Sequence, residues 1–152
     1  MKNFVIRSAT PKDIPFIVQA NAIINQESGL DPIDPVKTAK RYKADLFGKY
    51  PKAFVLIAET DGVKTGLAMY GLTYFARLAD VMYISQIYTD PKYARQGIAS
   101  ALLNELLLIA RENNYSYVYC FIDHDNKASR KLAEKFGIEK SDHMDVFRLY
   151  RK

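Results

Sequence analysis

Residues Ile84 to Ala110, ISQIYTDPKYARQGIASALLNELLLIA, confine this chain to few folds. They read as a strand, a Pro-containing turn, a short loop around Gly97, and a strongly apolar helix. A loop at a helix start presents backbone N–H groups at the positive end of the helix dipole. Phosphate is the natural occupant of such a loop. Gly97, Ala99 and Ser100 keep the side chains small, so an anion can approach the backbone closely. Two common phosphate loops are excluded by spacing. No Gly-Lys-Ser/Thr follows, as a nucleotide hydrolase needs, and there is no GxGxxG, as a dinucleotide loop needs.

The flanking chain reads as mixed α/β. Asn3 to Ala9 is an expected strand. Thr10 is the expected cap of a first helix with Pro11 at its first position, running to about Asn25. The loop from Gln26 to Asp34 follows, and Asp34-Pro35 opens a second helix to about Phe47. Two strands, Pro51 to Thr60 and Val63 to Tyr74, flank the hairpin signal Asp61-Gly62. Gly66 and Gly71 within the second mark a bend or a close backbone approach. Val81 to Thr89 is the strand that feeds the loop. The central helix spans Gly97 to Asn113, with Ile98, Leu102, Leu103, Leu106, Leu107 and Ala110 on its apolar face. Tyr115 to Ile122 is apolar and aromatic almost throughout, so burial on both faces is expected. Asn126 to Phe136 is a last helix stopped at Gly137, and Met144 to Arg151 a last strand. A strand–helix–strand crossover of this kind needs a parallel pair and a right-handed turn.

A length of 152 residues suits one domain, 1–152, around one core. The charge of +5 reads as a solvated basic surface and suits a polyanionic cofactor. Aromatic residues do not interleave with Lys and Arg as on a nucleic-acid face, so no nucleic-acid partner is expected. No apolar run reaches the roughly 20 residues a membrane helix needs, so no membrane partner is expected either. The N-terminus lacks the apolar stretch of a secretory signal, and a lone cysteine, Cys120, suits a reducing compartment. A cytoplasmic location is the expectation.

Tyr93 to Leu103, YARQGIASALL, resembles the acetyl-coenzyme A loop of the Gcn5-related N-acetyltransferases. The family pattern is Arg/Gln-x-x-Gly-x-Gly/Ala after a strand. Gly97 and Ala99 match its last two fixed positions, whereas Ala94 stands at the first and Arg95 follows it. Asn126 to Ile138 resembles the family's second cofactor segment, with Asn126, Ser129, Leu132, Lys135 and Gly137 in register. Within the family the likeness is greatest to the diamine and thialysine acetyltransferases. Its cues are Asp45-Leu46-Phe47-Gly48 with Pro51, and Tyr83-Ile84 with Ile87-Tyr88.

The resemblance implies an acyl-CoA N-acyltransferase fold, a central mixed sheet of about seven strands flanked by four helices. It implies acetyl-coenzyme A or coenzyme A as cofactor and a small-molecule amine as acceptor, attacked directly in a ternary complex. A homodimer is compatible with it. The diphosphate is expected on the amides of Arg95, Gln96, Gly97, Ile98, Ala99 and Ser100. The pantetheine arm is expected along Ile87, Tyr88 and Thr89, as an added strand. Asn126 and Ser129 complete the expected cofactor set.

Acyl transfer needs a base for the amine, help for the oxyanion, and a proton for the thiolate. At the position of the family's acidic tyrosine stands Ala133, and at that of the related enzymes' glutamate base stands Ser85, followed by Gln86. Candidates for proton handling are Ser85 and His124, with Tyr83 and Asp123 beside them. Transfer by proximity with water as relay, and a non-catalytic coenzyme A-binding domain, stay open at this level. Cys120 lies mid-strand and reads as an inert buried thiol. No His, Cys, Asp or Glu spacing suggests a metal site.

Overall fold

The computed structural model describes residues 3–147 and 149. The chain falls into two compact units, one running to Phe121 and one from Ile122 onward.

The first unit holds a five-stranded sheet in the order β1-β2-β3-β4-β5. Its strands are β1 (Phe4–Ser8), β2 (Phe54–Thr60), β3 (Val63–Phe75), β4 (Ala79–Thr89) and β5 (Tyr117–Cys120). Neighbours are antiparallel except β4 and β5, which are parallel. That pair is the one joined through a helix, α3 (Ile98–Glu112), as a parallel crossover requires. The β2–β3 turn places Asp61 at φ 51° and Gly62 at φ 76°. Two left-handed residues match the twist of the flanking strands, which is why Asp-Gly serves there.

Helices α1 (Ile14–Glu27) and α2 (Pro35–Phe47) cover one face of the sheet. Ile17 and Val18 of α1 and Tyr42 and Leu46 of α2 meet Val55, Ile57, Leu67 and Tyr88 of the strands there. The α2 start is built as expected: the Asp34 carboxylate accepts from the N–H groups of Val36 and Lys37, both at 3.0 Å. The α1 start differs. Pro11–Asp13 form a single 3-10 turn with Thr10 at its N-cap position, and α1 proper begins at Ile14. The Asp13 carboxylate accepts from the Thr10 N–H at 2.8 Å. Asp13 is 1% exposed and also pairs with Arg7 and Lys64, each at 2.8 Å. The carboxylate thus ties the turn back to the Thr10 N–H while two cations meet its charge.

The other face belongs to α3, whose Ile98, Leu102, Leu103, Leu106 and Ala110 are buried. Gly66 explains how closely it lies. A Cβ there would stand 2.8 Å from the Tyr88 carbonyl oxygen and 2.9 Å from Ile98 Cγ2. A close approach, one of the two roles expected for that glycine, is therefore its role.

β5 corrects an expectation. It is four residues long and is the last strand of the sheet among the described residues, with Tyr117 and the following Phe121 exposed, so it is not buried on both faces. Five strands, rather than about seven, are present among the described residues. Met144, Val146, Phe147 and Leu149 are exposed and lie in no strand, while Arg148, Tyr150 and Arg151 of the expected last strand fall outside the described residues.

The second unit contains α4 (Lys127–Lys135). Asn126 Oδ1 caps it, accepting from the Ser129 N–H at 3.0 Å. Gly137, at φ 72°, closes it with its N–H on the Glu134 carbonyl. None of the described helices is long and apolar enough to cross a membrane.

Candidate functional site

Two irregularities in β4 create the candidate site. The parallel ladder with β5 pairs Val81–Ile84 with Tyr117–Cys120 and ends at Ile84 opposite Cys120. Residues 85–89 of β4 therefore have no β5 partner, and among the described residues no other strand pairs with them on that side, the arrangement an extended ligand can join. On the β3 side, Met69 pairs with Gln86 and Tyr70 with Ile84, so Ser85 is the extra residue of a bulge. A bulge leaves its backbone groups outside the ladder and turns the strand. The Ser85 hydroxyl donates to the Met69 carbonyl at 3.1 Å.

The bulge also sorts side chains. Register pairs Leu67 with Tyr88, Met69 with Gln86 and Gly71 with Tyr83. Alternation on β3 puts these residues on the α1–α2 face, so Tyr83 and Gln86 share a face although three positions apart. Ile87 and Thr89 pair with Ala68 and Gly66 and take the α3 face. Gln86 Nε2 donates to Asn21 Oδ1 of α1 at 3.1 Å. Tyr88 packs edge-on against Phe16, and burial holds its phenol above the ordinary tyrosine range, with Asp90 and Glu27 adding to the shift.

β4 runs directly into the loop. The Asp90 N–H donates to the Thr65 carbonyl at 2.9 Å, and its carboxylate accepts from the Lys92 N–H at 2.9 Å, fixing a single turn over Pro91–Tyr93. Arg95 then takes φ 61° and Gly97 φ 85°, both left-handed. A Cβ built on Gly97 would meet nothing within 4 Å, so this glycine is required by its backbone and not by packing. In α3 the Ala101 N–H donates to the Gly97 carbonyl at 3.0 Å. The N–H groups of Ile98 and Ala99 precede that first intrahelical bond.

Acetyl-coenzyme A fits these residues. Thr89 Oγ1 and Gln96 Oε1 are buried and have no hydrogen-bond partner among the described residues. Orphaned buried acceptors of this kind cost about 1–3 kcal/mol each. They match a ligand rich in amide N–H groups. The open β4 edge suits the pantetheine arm, and the N-terminus of α3, with Arg95 exposed beside it, suits the diphosphate.

The structure thus brings Ile87, Tyr88, Thr89, Arg95, Gln96, Gly97, Ile98, Ala99 and Ser100 into one continuous strand-to-helix segment. Asn126 and Ser129 stand at the start of α4 in the second unit. His124, also there, is exposed, and its Nδ1 lies 3.3 Å from Arg130 Nη2. Guanidinium has only donors, so Nδ1 is the acceptor. Ser85 is exposed at the bulge with its hydroxyl on a carbonyl, which is no arrangement for a base. Burial raises the Tyr83 phenol, and the Cys120 thiol likewise, so both are neutral groups. Among the described residues no group of His, Cys, Asp and Glu is gathered for a metal.

Sequence reasoning missed the Ser85 bulge, the Asn21–Gln86 bridge and a cluster of rings beside them. The alternation Tyr117, Tyr119, Phe121 was the available signal for the last.

The sequence pattern of the acetyltransferase (GNAT) family matches residues 22–138. The chain is 28% identical over 146 residues to a thialysine N-epsilon-acetyltransferase of Sus scrofa, covering 90% of this chain and 85% of the relative. A possible acetyltransferase from Clostridium difficile 630 superposes with a TM-score of 0.83 at 20% identity, covering 97% of this chain and 99% of the other. A predicted acetyltransferase from Clostridium acetobutylicum, solved with acetyl-CoA, has a TM-score of 0.78 at 22% identity, covering 96% of each chain.

Proposed function

Because this chain belongs to the acetyltransferase (GNAT) family, and is an acetyl-CoA-dependent N-acetyltransferase, we propose that it acetylates a small primary amine by direct attack in a ternary complex. The parting of β4 from β5 after Ile84, directly ahead of the Gly97 loop, carries this reading. The thialysine acetyltransferase relatives support a small amine as acceptor.

Acetyl-CoA, when bound, supplies a thioester whose carbon–sulfur bond breaks as the nitrogen–carbon bond forms, with one proton leaving the amine and one passing to the thiolate. The chain's own part is holding and polarising. The Gly97 loop and α3 N-terminus offer N–H groups to the diphosphate, and Arg95 adds a positive charge. Ile87 to Thr89 lend their backbone edge to the pantetheine amides. Backbone N–H groups freed at the Ser85 bulge stabilise negative charge on the carbonyl oxygen. Asn126 and Ser129 are assigned to the cofactor by family register. No carboxylate stands at Ser85 or Gln86, so water relays the amine proton, and positioning supplies most of the rate. A homodimer and a cytoplasmic setting are part of the same reading.

Calorimetric titration with acetyl-CoA, followed by thiol release against a panel of amines, tests it. Binding with amine-dependent release is the expected result. Binding without release from any amine would leave a coenzyme A-binding domain, and no binding would remove the cofactor assignment.

A further inference from the structure

α1 carries a polar residue where its apolar stripe calls for another aliphatic one. Ile14, Ile17, Val18 and Ile24 pack into the core between α1 and the sheet. Asn21 is seven residues after Ile14, three after Val18 and three before Ile24, so it belongs to the same stripe. It is half-buried, and asparagine is a poor residue for a helix interior. Its Oδ1 accepts from Gln86 Nε2 at 3.1 Å. Gln86 is half-buried too. It stands next to the exposed Ser85 of the bulge and pairs in register with Met69, which packs on the same core. Two apolar side chains would hold α1 to β4 at least as well as this pair of carboxamides. The pair is therefore explained by what it orients and not by the strength of the contact.

A ligand added to the β4 edge takes its hydrogen bonds in the plane of the sheet. A thioester that continues such a strand keeps its carbonyl close to that plane, so its two faces look toward the two helical layers. A nucleophile approaches one of those faces, near-perpendicular to the carbonyl. On one side lies α3, so close that a Cβ on Gly66 would stand 2.9 Å from Ile98 Cγ2 and 3.3 Å from Leu102 Cδ1. On the other side is Gln86, beside the solvent-exposed Ser85. Its Nε2 is committed to Asn21, which turns Oε1, a hydrogen-bond acceptor, away from α1.

We propose that Gln86 Oε1 accepts an N–H of the acceptor amine and that Asn21 is the residue that positions it. This rests on the acetyl-transfer reading above. With one N–H of the neutral amine held by Oε1, the nitrogen lone pair is aimed at the thioester carbon, and the other proton leaves through water. A carboxamide orients the amine without taking its proton. The bonds made and broken are those of the transfer already described.

Thiol release from acetyl-CoA is measured for the full chain with propylamine, ethylenediamine and lysine, and the best-used of the three is carried through the variants. Gln86→Glu puts a carboxylate at the proposed contact, and Asn21 can still bridge it through its own amide N–H. The ratio of kcat/KM for the amine at about pH 6.5 to that at about pH 9 is expected to rise at least about tenfold over wild type, because the carboxylate takes up the proton of an ammonium. Asn21→Leu is expected to cut kcat/KM for the amine about tenfold at an unchanged KM for acetyl-CoA. Asn21→Asp keeps the accepting oxygen and is expected to recover most of that loss. Asn21→Ala replaces the leucine variant if the latter does not fold. A pH ratio in Gln86→Glu equal to that of wild type overturns the proposal, since a residue that only braces α1 against the sheet leaves pH dependence alone. So do wild-type kinetics in Asn21→Leu, whatever its stability, or a loss in Asn21→Asp as large as in Asn21→Leu. If wild type acetylates none of the three amines, the transfer reading fails and this proposal falls with it, an outcome told apart from the others because it appears before any substitution.

Discussion

Ile84 lies opposite Cys120 in the parallel ladder, and no residue of β4 beyond that pair has a β5 partner. The next residue, Ser85, is the bulge on the other side of the same strand. Over one step of chain, β4 is thus released from both ladders. That step leaves backbone groups outside both ladders, which is what an extended ligand needs in order to add itself to a sheet.

Ser85→Ala tests whether the bulge works through its backbone. It removes one hydrogen bond to Met69, worth about 1 kcal/mol. The expected fall in kcat is under about tenfold, against the ~100-fold or greater loss that removal of a general base produces. Ser85→Glu is expected to add an ionising limb to the pH–rate profile that wild type lacks. Steady-state kinetics across pH 5 to 9 read both.

The two left-handed residues of the loop separate strain from charge. Gly97→Ala forces a Cβ onto φ 85° in open space, so stability falls by ~1–2 kcal/mol and the KM for acetyl-CoA rises about tenfold. Arg95→Gly relieves φ 61° and leaves stability unchanged or up to ~1 kcal/mol higher. It also weakens acetyl-CoA binding at low salt, and the deficit shrinks as salt rises. Urea unfolding and calorimetry at two ionic strengths check these outcomes.

Gly66→Ala acts at a distance from the loop. Its Cβ meets the Tyr88 carbonyl and Ile98 Cγ2, so α3 has to move off the sheet. A loss of ~1–3 kcal/mol in thermal or urea stability is expected, with weaker acetyl-CoA binding because Ile98 begins the helix proposed to hold the diphosphate.

Asp13 makes stability pH-dependent. The Arg7 guanidinium, and then Lys64, hold its carboxyl well below the usual carboxylate range. A depressed folded pKa contributes stability that is full above the unfolded value, about 4, and lost as pH falls below it. Urea midpoints are expected to drop steeply between pH 5 and pH 2. Asp13→Asn is expected to flatten that slope and to cost ~3 kcal/mol at pH 7, since two cations lose their buried partner.

Local chemistry made much of this legible in the sequence. Asp34-Pro35 starts a helix and Asp61-Gly62 turns a hairpin because those residues satisfy or adopt the required backbone within a few positions. The apolar face of α3 and the small residues at its start follow from helical period and residue size, and they carried the phosphate-loop reading. Other features needed the tertiary structure. Asp13 can be buried at the first turn because Arg7 and Lys64 reach it from the sheet. β5 reads as a buried strand from its apolar run, yet its place at the edge is decided by which strand pairs with it. The Ser85 bulge is a mismatch of register between β3 and β4, visible in neither strand alone. That mismatch puts Tyr83 and Gln86 on one face and opens the edge beside them, because side-chain direction in a sheet alternates with every residue and one extra residue reverses it.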